Sequence, residues 1–120
     1  MNSLLFVYGT LKRGCSNHGQ LAGQTFVGAA RTAPGFSLFD LGGYPGIAPC
    51  AADRNGVAGE VWSVDPAALA RLDAFEGVAE GLYQRGRIAL QSPFAAACVE
   101  AYFPVLAVTG RPEIGPEWRE

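Results

Sequence analysis

Gly56-Val57-Ala58-Gly59-Glu60-Val61-Trp62-Ser63-Val64-Asp65-Pro66-Ala67-Ala68-Leu69-Ala70-Arg71-Leu72-Asp73-Ala74-Phe75-Glu76-Gly77 holds a strand, a helix start and a helix stop in one run. Val57 to Val64 mixes valines with a tryptophan behind Gly56 and predicts a strand. Asp65 can cap a helix by accepting from an early backbone N–H, and Pro66 suits the first helical position, where its missing N–H is not needed. Ala67 to Phe75 are good helix formers, with Leu69, Leu72 and Phe75 spaced for one apolar stripe. Gly77 is a natural stop.

Outward from this run, 16 glycines and 8 prolines cut the 120 residues into short pieces, as strand-rich folds with tight turns require. Upstream, Leu4 to Tyr8 predicts a first strand and Lys12 to Gln20 a polar loop. Thr25 to Thr32 predicts a second strand. Pro34-Gly35 turns into a strand over Phe36 to Leu41, and Gly42-Gly43-Tyr44-Pro45-Gly46 is rich in turn residues. Downstream, Tyr83 to Leu90 and Ala95 to Phe103 predict a hairpin across Gln91-Ser92-Pro93-Phe94. The tail after Val108 is expected to be irregular. The expected fold is α+β, a small, mostly antiparallel β-barrel flanked by one or two helices, with residues 1–120 forming a single domain.

Composition narrows the partners. Apolar residues make up 49% and charged residues 17%, and one lysine and eight arginines leave a net charge of −2. No basic field exists to hold a phosphate backbone, so nucleic acid is not expected. No run approaches the roughly 20 apolar residues needed to cross a bilayer, so no membrane partner is expected either. The Leu4 to Tyr8 run is too short for a secretion signal and lacks basic flanks. Cys15, Cys50 and Cys98 are odd in number and widely spaced, and the chain has one histidine. That disfavours a disulfide framework or a zinc site, and a reducing cytoplasm fits best. Oligomeric state is not legible.

Tyr8-Gly9-Thr10-Leu11-Lys12-Arg13-Gly14 leaves the first strand and enters a glycine-bounded loop. Gly9 lets backbone approach a ligand closely, and successive N–H groups in such a turn can converge on an anion. A plain strand-ending turn fits the composition equally well. Gly9 and Gly14 also have the spacing of a phosphate-binding loop, with Ser16 where its metal-binding hydroxyl would stand. Cys15 replaces the lysine that neutralises the phosphates, so that reading fails.

The same residues, continued to Asn17-His18, resemble the opening of γ-glutamylcyclotransferase-like proteins, in particular the γ-glutamylamine cyclotransferase branch. Gly59-Glu60-Val61-Trp62, Leu72-Asp73-Ala74-Phe75-Glu76-Gly77 and Tyr83-Gln84-Arg85 agree in order and separation, and Tyr44-Pro45-Gly46 fits between them. The likeness covers roughly residues 4 to 103. It implies a compact mixed fold with a central β-barrel, a loop whose backbone from Gly9 to Leu11 holds the substrate's glutamyl head, and Glu76 as the catalytic acid/base. The implied reaction releases 5-oxoproline and an amine or amino acid from a small γ-glutamyl substrate, with no cofactor and no metal. A non-catalytic relative that binds or senses a small carboxylate would share these motifs, as would an enzyme removing a γ-glutamyl protecting group from a biosynthetic intermediate.

The chemistry suits what the chain has. A γ-glutamyl amide carries its own nucleophile, its α-amine, and the chain has no Ser-His-Asp set to offer. It needs a folded-back substrate and a single carboxyl that takes and returns a proton. Glu76 follows Phe75 at the negative end of the helix dipole, and both features raise a carboxyl pKa. Tyr83 can close over the site and donate a hydrogen bond, so the expected substrate contacts are Tyr8, Gly9, Thr10, Leu11 and Tyr83. Glu60 shares a strand face with Ala58 and Trp62. It either faces inward to pair with an arginine or the substrate amine, or lies on a polar outer face, the reading preferred. Arg85 and Arg87 are expected to make structural pairs. A bracing arginine beside the catalytic carboxyl would lower its pKa. Asn17 and His18 are expected to order the loop. Trp118 has no assigned role.

Overall fold

The computed structural model describes residues 1–120. Eight strands and one α-helix form: β1 Ser3–Val7, β2 Thr25–Arg31, β3 Phe36–Asp40, β4 Pro45–Pro49, β5 Ala58–Val64, α1 Pro66–Phe75, β6 Tyr83–Arg87, β7 Val99–Pro104 and β8 Glu113–Gly115, with a short 3₁₀ turn at His18–Leu21. The larger sheet has the order β2-β5-β1-β7-β6, and the smaller has β4-β3-β8. All pairings are antiparallel except β1 with β7.

The continuous apolar run of β1 follows from its central place in the larger sheet, where both faces are covered. Leu5 and Val7 point to one side and pack with Leu21, Trp62, Val64, Ala68, Leu72 and Tyr102 under α1. Phe6 and Tyr8 point to the other and pack with Leu38, Ile47, Val61 and Val99 beneath the smaller sheet. Asp65 caps α1 through Oδ1, which accepts from Ala68 N–H at 2.7 Å, and Pro66 takes the first position. The buried face of α1 is Ala68 and Leu72, while Phe75 stays 42% exposed. The expected Leu69-Leu72-Phe75 stripe is therefore rotated, and Phe75 is released toward the cavity described below.

The mixed α+β fold stands, but the barrel is not closed. The outer strands β2 and β6 are joined only past their ends, by the Thr32–Leu90 bridge and the bonds Ala33 N–H to Ala89 O and Gln91 N–H to Arg31 O. That seam shortens the expected Tyr83–Leu90 strand: Ile88 N–H still bonds Val99 O at 3.0 Å, but Ala89 and Leu90 turn away to meet Thr32 and Ala33. The partner strand begins at Val99 rather than Ala95. Two further segments differ from expectation. Pro45–Pro49 is a strand, paired along its length with β3, and Glu113–Gly115 pairs with β3 on its other edge. Pro45 and Pro49 stand at the ends of their strand, where a missing donor is tolerated. The tail gains its strand from a partner about 75 residues away, which local pattern does not reveal.

Candidate active site

Glu76 sits one residue past α1. Its N–H bonds Leu72 O at 2.8 Å, and its φ of −80° and ψ of −5° are still helical. Gly77 then reverses the chain at φ +71°, where a Cβ would lie 2.7 Å from Leu82 Cδ1. A side chain there would be both strained and in collision. The turn leaves Glu76 lining a cavity of about 340 Å³ between the end of α1, the loop after β1 and the β3–β4 turn. Burial pushes its pKa up to about 7, and no hydrogen bond or ion pair opposes the rise. Desolvation is the cause, in line with the apolar surroundings expected of a carboxyl next to Phe75.

Tyr8, Gly9, Thr10, Leu11 and Tyr83 line the same cavity, so the structure brings together the six residues singled out from the sequence. Gly9 is pressed on β4: a Cβ would come within 2.6 Å of Pro45 Cγ. The glycine is needed for that packing, and the loop backbone is thereby fixed against the sheet. Past Gly9 the loop is held through its carbonyls. Lys12 N–H bonds Gly9 O at 3.1 Å, Asn17 N–H bonds Thr10 O at 2.9 Å, and His18 Nδ1 lies 2.9 Å from Leu11 O. Asn17 Nδ2 also donates to Thr10 Oγ1 at 3.1 Å. The N–H groups of Gly9, Thr10 and Leu11 have no acceptor within the protein. Three neighbouring donors beside an apolar cavity suit an anionic oxygen pair.

The tyrosines differ in what their hydroxyls do. Tyr8 Oη donates to Tyr102 O at 2.7 Å, and burial pushes its pKa well up, so its ring forms cavity wall while its hydroxyl ties β1 to β7. Tyr83 Oη donates to Pro45 O at a long 3.3 Å. Burial first, then the nearby Glu76, raises its pKa. Tyr83 therefore remains a proton donor, with a weak bond it can exchange for a ligand.

Glu60 departs from the preferred reading. Its strand face is roofed by α1 and the 3₁₀ turn, so Glu60 is buried beside Trp62 instead of lying on a polar outer face. Its carboxylate accepts from Arg13 N–H at 3.1 Å, Arg13 Nε at 3.2 Å and Trp62 Nε1 at 3.1 Å. It holds the loop from behind and does not line the cavity. The tail helps in the same way: Lys12 Nζ donates to Trp118 O at 2.6 Å, and Glu120 accepts from Ser16 N–H and Oγ at 2.9 and 3.2 Å. Trp118, unassigned in the sequence, is part of this fastening.

Arg85 makes the structural pairs expected of it, two bonds to Asp73 at 2.9 and 3.1 Å and one to Glu100 at 2.6 Å. It does not touch Glu76, so nothing cationic lowers that carboxyl. Arg87 is exposed and has no ion pair, contrary to expectation, because it lies at the end of an edge strand. Sequence reasoning missed Tyr102, whose hydroxyl donates to Asp73 Oδ1 at 2.7 Å while its carbonyl receives Tyr8. The one available signal was a polar-tipped aromatic in the apolar Ala101-Tyr102-Phe103 run. Leu41, Leu106 and Arg111, which also line the cavity, carried no signal. No group of three or more His, Cys, Asp or Glu side chains is placed to hold a metal ion, and no helix is long and apolar enough to cross a membrane.

The cavity thus pairs a carboxyl poised near neutrality with free backbone donors, a combination suited to holding a small anionic molecule while moving a proton within it. Comparison with known proteins gives the family. The sequence model of the family described as gamma-glutamyl cyclotransferase, AIG2-like, matches residues 5–119. A Vibrio cholerae relative, provisionally named a gamma-glutamylcyclotransferase, is 41% identical over 102 residues, covering 85% of this chain and 84% of its own. The gamma-glutamylaminecyclotransferase of Rattus norvegicus is 40% identical over 88 residues, and the match spans 68% of this chain and 58% of the rat protein. Among solved structures, an AIG2-like protein from Mus musculus superposes with a TM-score of 0.78 at 29% identity, covering 93% of this chain and 85% of that one. The chain belongs to the gamma-glutamyl cyclotransferase, AIG2-like family.

Proposed function

We propose that this protein cyclises the γ-glutamyl group of a small γ-glutamyl amide to 5-oxoproline and releases the amine or amino acid. The observation that carries the reading is Glu76: a carboxyl with no protein partner, raised to about 7 by burial, lining one cavity with the free N–H groups of Gly9, Thr10 and Leu11. In this reading the loop amides hold the substrate α-carboxylate. The Glu76 carboxylate takes a proton from the α-ammonium, freeing its lone pair. The nitrogen attacks the γ-carbonyl carbon, and the ring C–N bond forms. Tyr83 donates to the oxygen that gains charge. The amide C–N bond then breaks as Glu76 returns its proton to the departing nitrogen. A second proton passes the same way, so the amine leaves as an ammonium and Glu76 is regenerated. Holding the chain folded back removes conformational freedom that would otherwise oppose ring closure.

The test is 5-oxoproline release from a panel of γ-glutamyl amides, followed by mass spectrometry, with wild type beside Glu76→Gln. Release by wild type and a loss of about a thousandfold or more in the folded variant is expected. Thermal stabilisation by 5-oxoproline or glutamate without turnover of any amide would identify a non-catalytic binder instead. Unchanged turnover in Glu76→Gln would remove Glu76 from the mechanism.

A further inference from the structure

The cavity has a buried wall and an exposed rim. Tyr8, Gly9, Leu11 and Tyr102 are buried in the wall, and Glu76, Thr10 and Tyr83 are half-buried. At the rim, Leu41, Tyr44, Phe75, Leu82 and Leu106 form a collar that reaches the Glu76 turn, where Leu82 packs on Gly77. Seven large apolar side chains of the whole protein are exposed, and four of them, Tyr44, Phe75, Leu82 and Leu106, belong to that collar. Exposed apolar surface gathered at one cavity mouth is a mark of ligand contact rather than chance. Phe75 lost its place in the helix stripe to stand there.

Arg111 is the cavity's one cationic side chain. Its Nη1 donates to Leu41 O at 3.3 Å, which seats it beside the collar. It makes no ion pair; the nearby Asp40 carboxylate, held low by the N–H groups of Gly43 and Gly42 and then by Arg111, accepts both N–H bonds at 2.9 Å on Oδ1 alone. Most of its donors remain available.

We infer that the collar and Arg111 form a leaving-group subsite for an apolar α-amino acid, making the substrate a γ-glutamyl dipeptide with an apolar side chain and a free carboxylate. The side chain covers the exposed leucines and aromatics, and the carboxylate meets the guanidinium. A glycine leaving group offers nothing to the collar, and a leaving group with a cationic tail places charge against apolar surface and beside Arg111. This rests on the proposed cyclisation, since the leaving group is defined by that reaction.

The test compares γ-glutamyl-leucine and γ-glutamyl-phenylalanine with γ-glutamyl-glycine, the isopentylamide of γ-glutamate (leucine's shape without its carboxylate) and the amide of a diaminobutane, in wild type and Arg111→Ala. The leucine and phenylalanine substrates should lead the others in kcat/KM by about tenfold or more. Arg111→Ala should lower kcat/KM for the leucine substrate about tenfold and leave the isopentylamide within about twofold. Release of 5-oxoproline with equal or reversed preference, or an equal effect of Arg111→Ala on both amides, overturns the subsite and leaves the cyclisation standing. If no amide turns over, the cyclisation fails, and calorimetric affinities of the same panel decide the subsite: equal values overturn it.

Discussion

Asp73 and Glu76 stand three residues apart at one end of α1, and the fold treats them in opposite ways. Asp73 is surrounded. Burial alone would raise its pKa, but two bonds from Arg85 and one from Tyr102 outweigh it and hold the carboxyl below its usual range. Glu76 receives burial without partners and rises to about 7. The first carboxylate is a permanent anion that ties α1 to β6 and β7. The second is free to gain and lose a proton near neutral pH. The difference teaches that a carboxyl is made titratable near neutrality by withholding partners, while its neighbour is made structural by supplying them.

Exchanging each for its amide separates the two roles most sharply. Glu76→Gln should lose about a thousandfold or more of turnover and keep its fold, whereas Asp73→Asn should keep most turnover and lose roughly 1–2 kcal/mol of stability. Turnover assays and urea unfolding on both variants read the contrast, and matching losses in the two would erase it. Next in size, Arg85→Met leaves Asp73 and Glu100 facing one another half-buried. It should destabilise the protein by about 2 kcal/mol, seen as a shift of the urea midpoint at unchanged slope.

Giving Glu76 the partner it lacks is a finer test. Leu82 lies against Gly77, and an arginine there should favour the carboxylate and move the acid limb of the pH–rate profile down by about one unit. In wild type that limb should rise about tenfold per pH unit and level off near pH 7, because the carboxylate is the form that accepts the first proton. A limb unmoved in Leu82→Arg would mean that another group sets it.

The smallest effect is on stability. A carboxyl whose pKa is raised on folding stabilises most below its unfolded value of about 4.3, and this contribution is lost as pH rises through about 7. Glutamine resembles the protonated form at every pH. Glu76→Gln should therefore melt with wild type at pH 4 and above it at pH 8, by on the order of 1 kcal/mol after solvent screening, or a few degrees. Equal melting at pH 8 would show that Glu76 is solvated after all.

Much of the candidate site was readable because its signals are short-range. The spacing from Gly9 to Asn17 and from Asp65 to Gly77 concerns bonds that close within a few residues, such as Asp65 to Ala68 and Thr10 to Asn17. Glu60 was misplaced for the opposite reason. Alternation put it with Trp62 correctly, but whether that face meets water depends on α1 folding over it. The strand at Glu113–Gly115 and the end of β6 at Arg87 likewise depend on partners far along the chain.

By itself, then, the sequence determined where α1 begins and ends, and so which residue stands at its last turn. Asp65, Pro66 and Gly77 act on atoms in their own neighbourhood, and no distant contact is needed to obey them. Only the tertiary structure decided that Asp73 would be paired and Glu76 left alone. Tyr102 reaches Asp73 across 29 residues of chain, and Trp118 reaches Lys12 across 106. Burial and pairing are properties of what packs against a residue, and the order of residues along the chain does not state them.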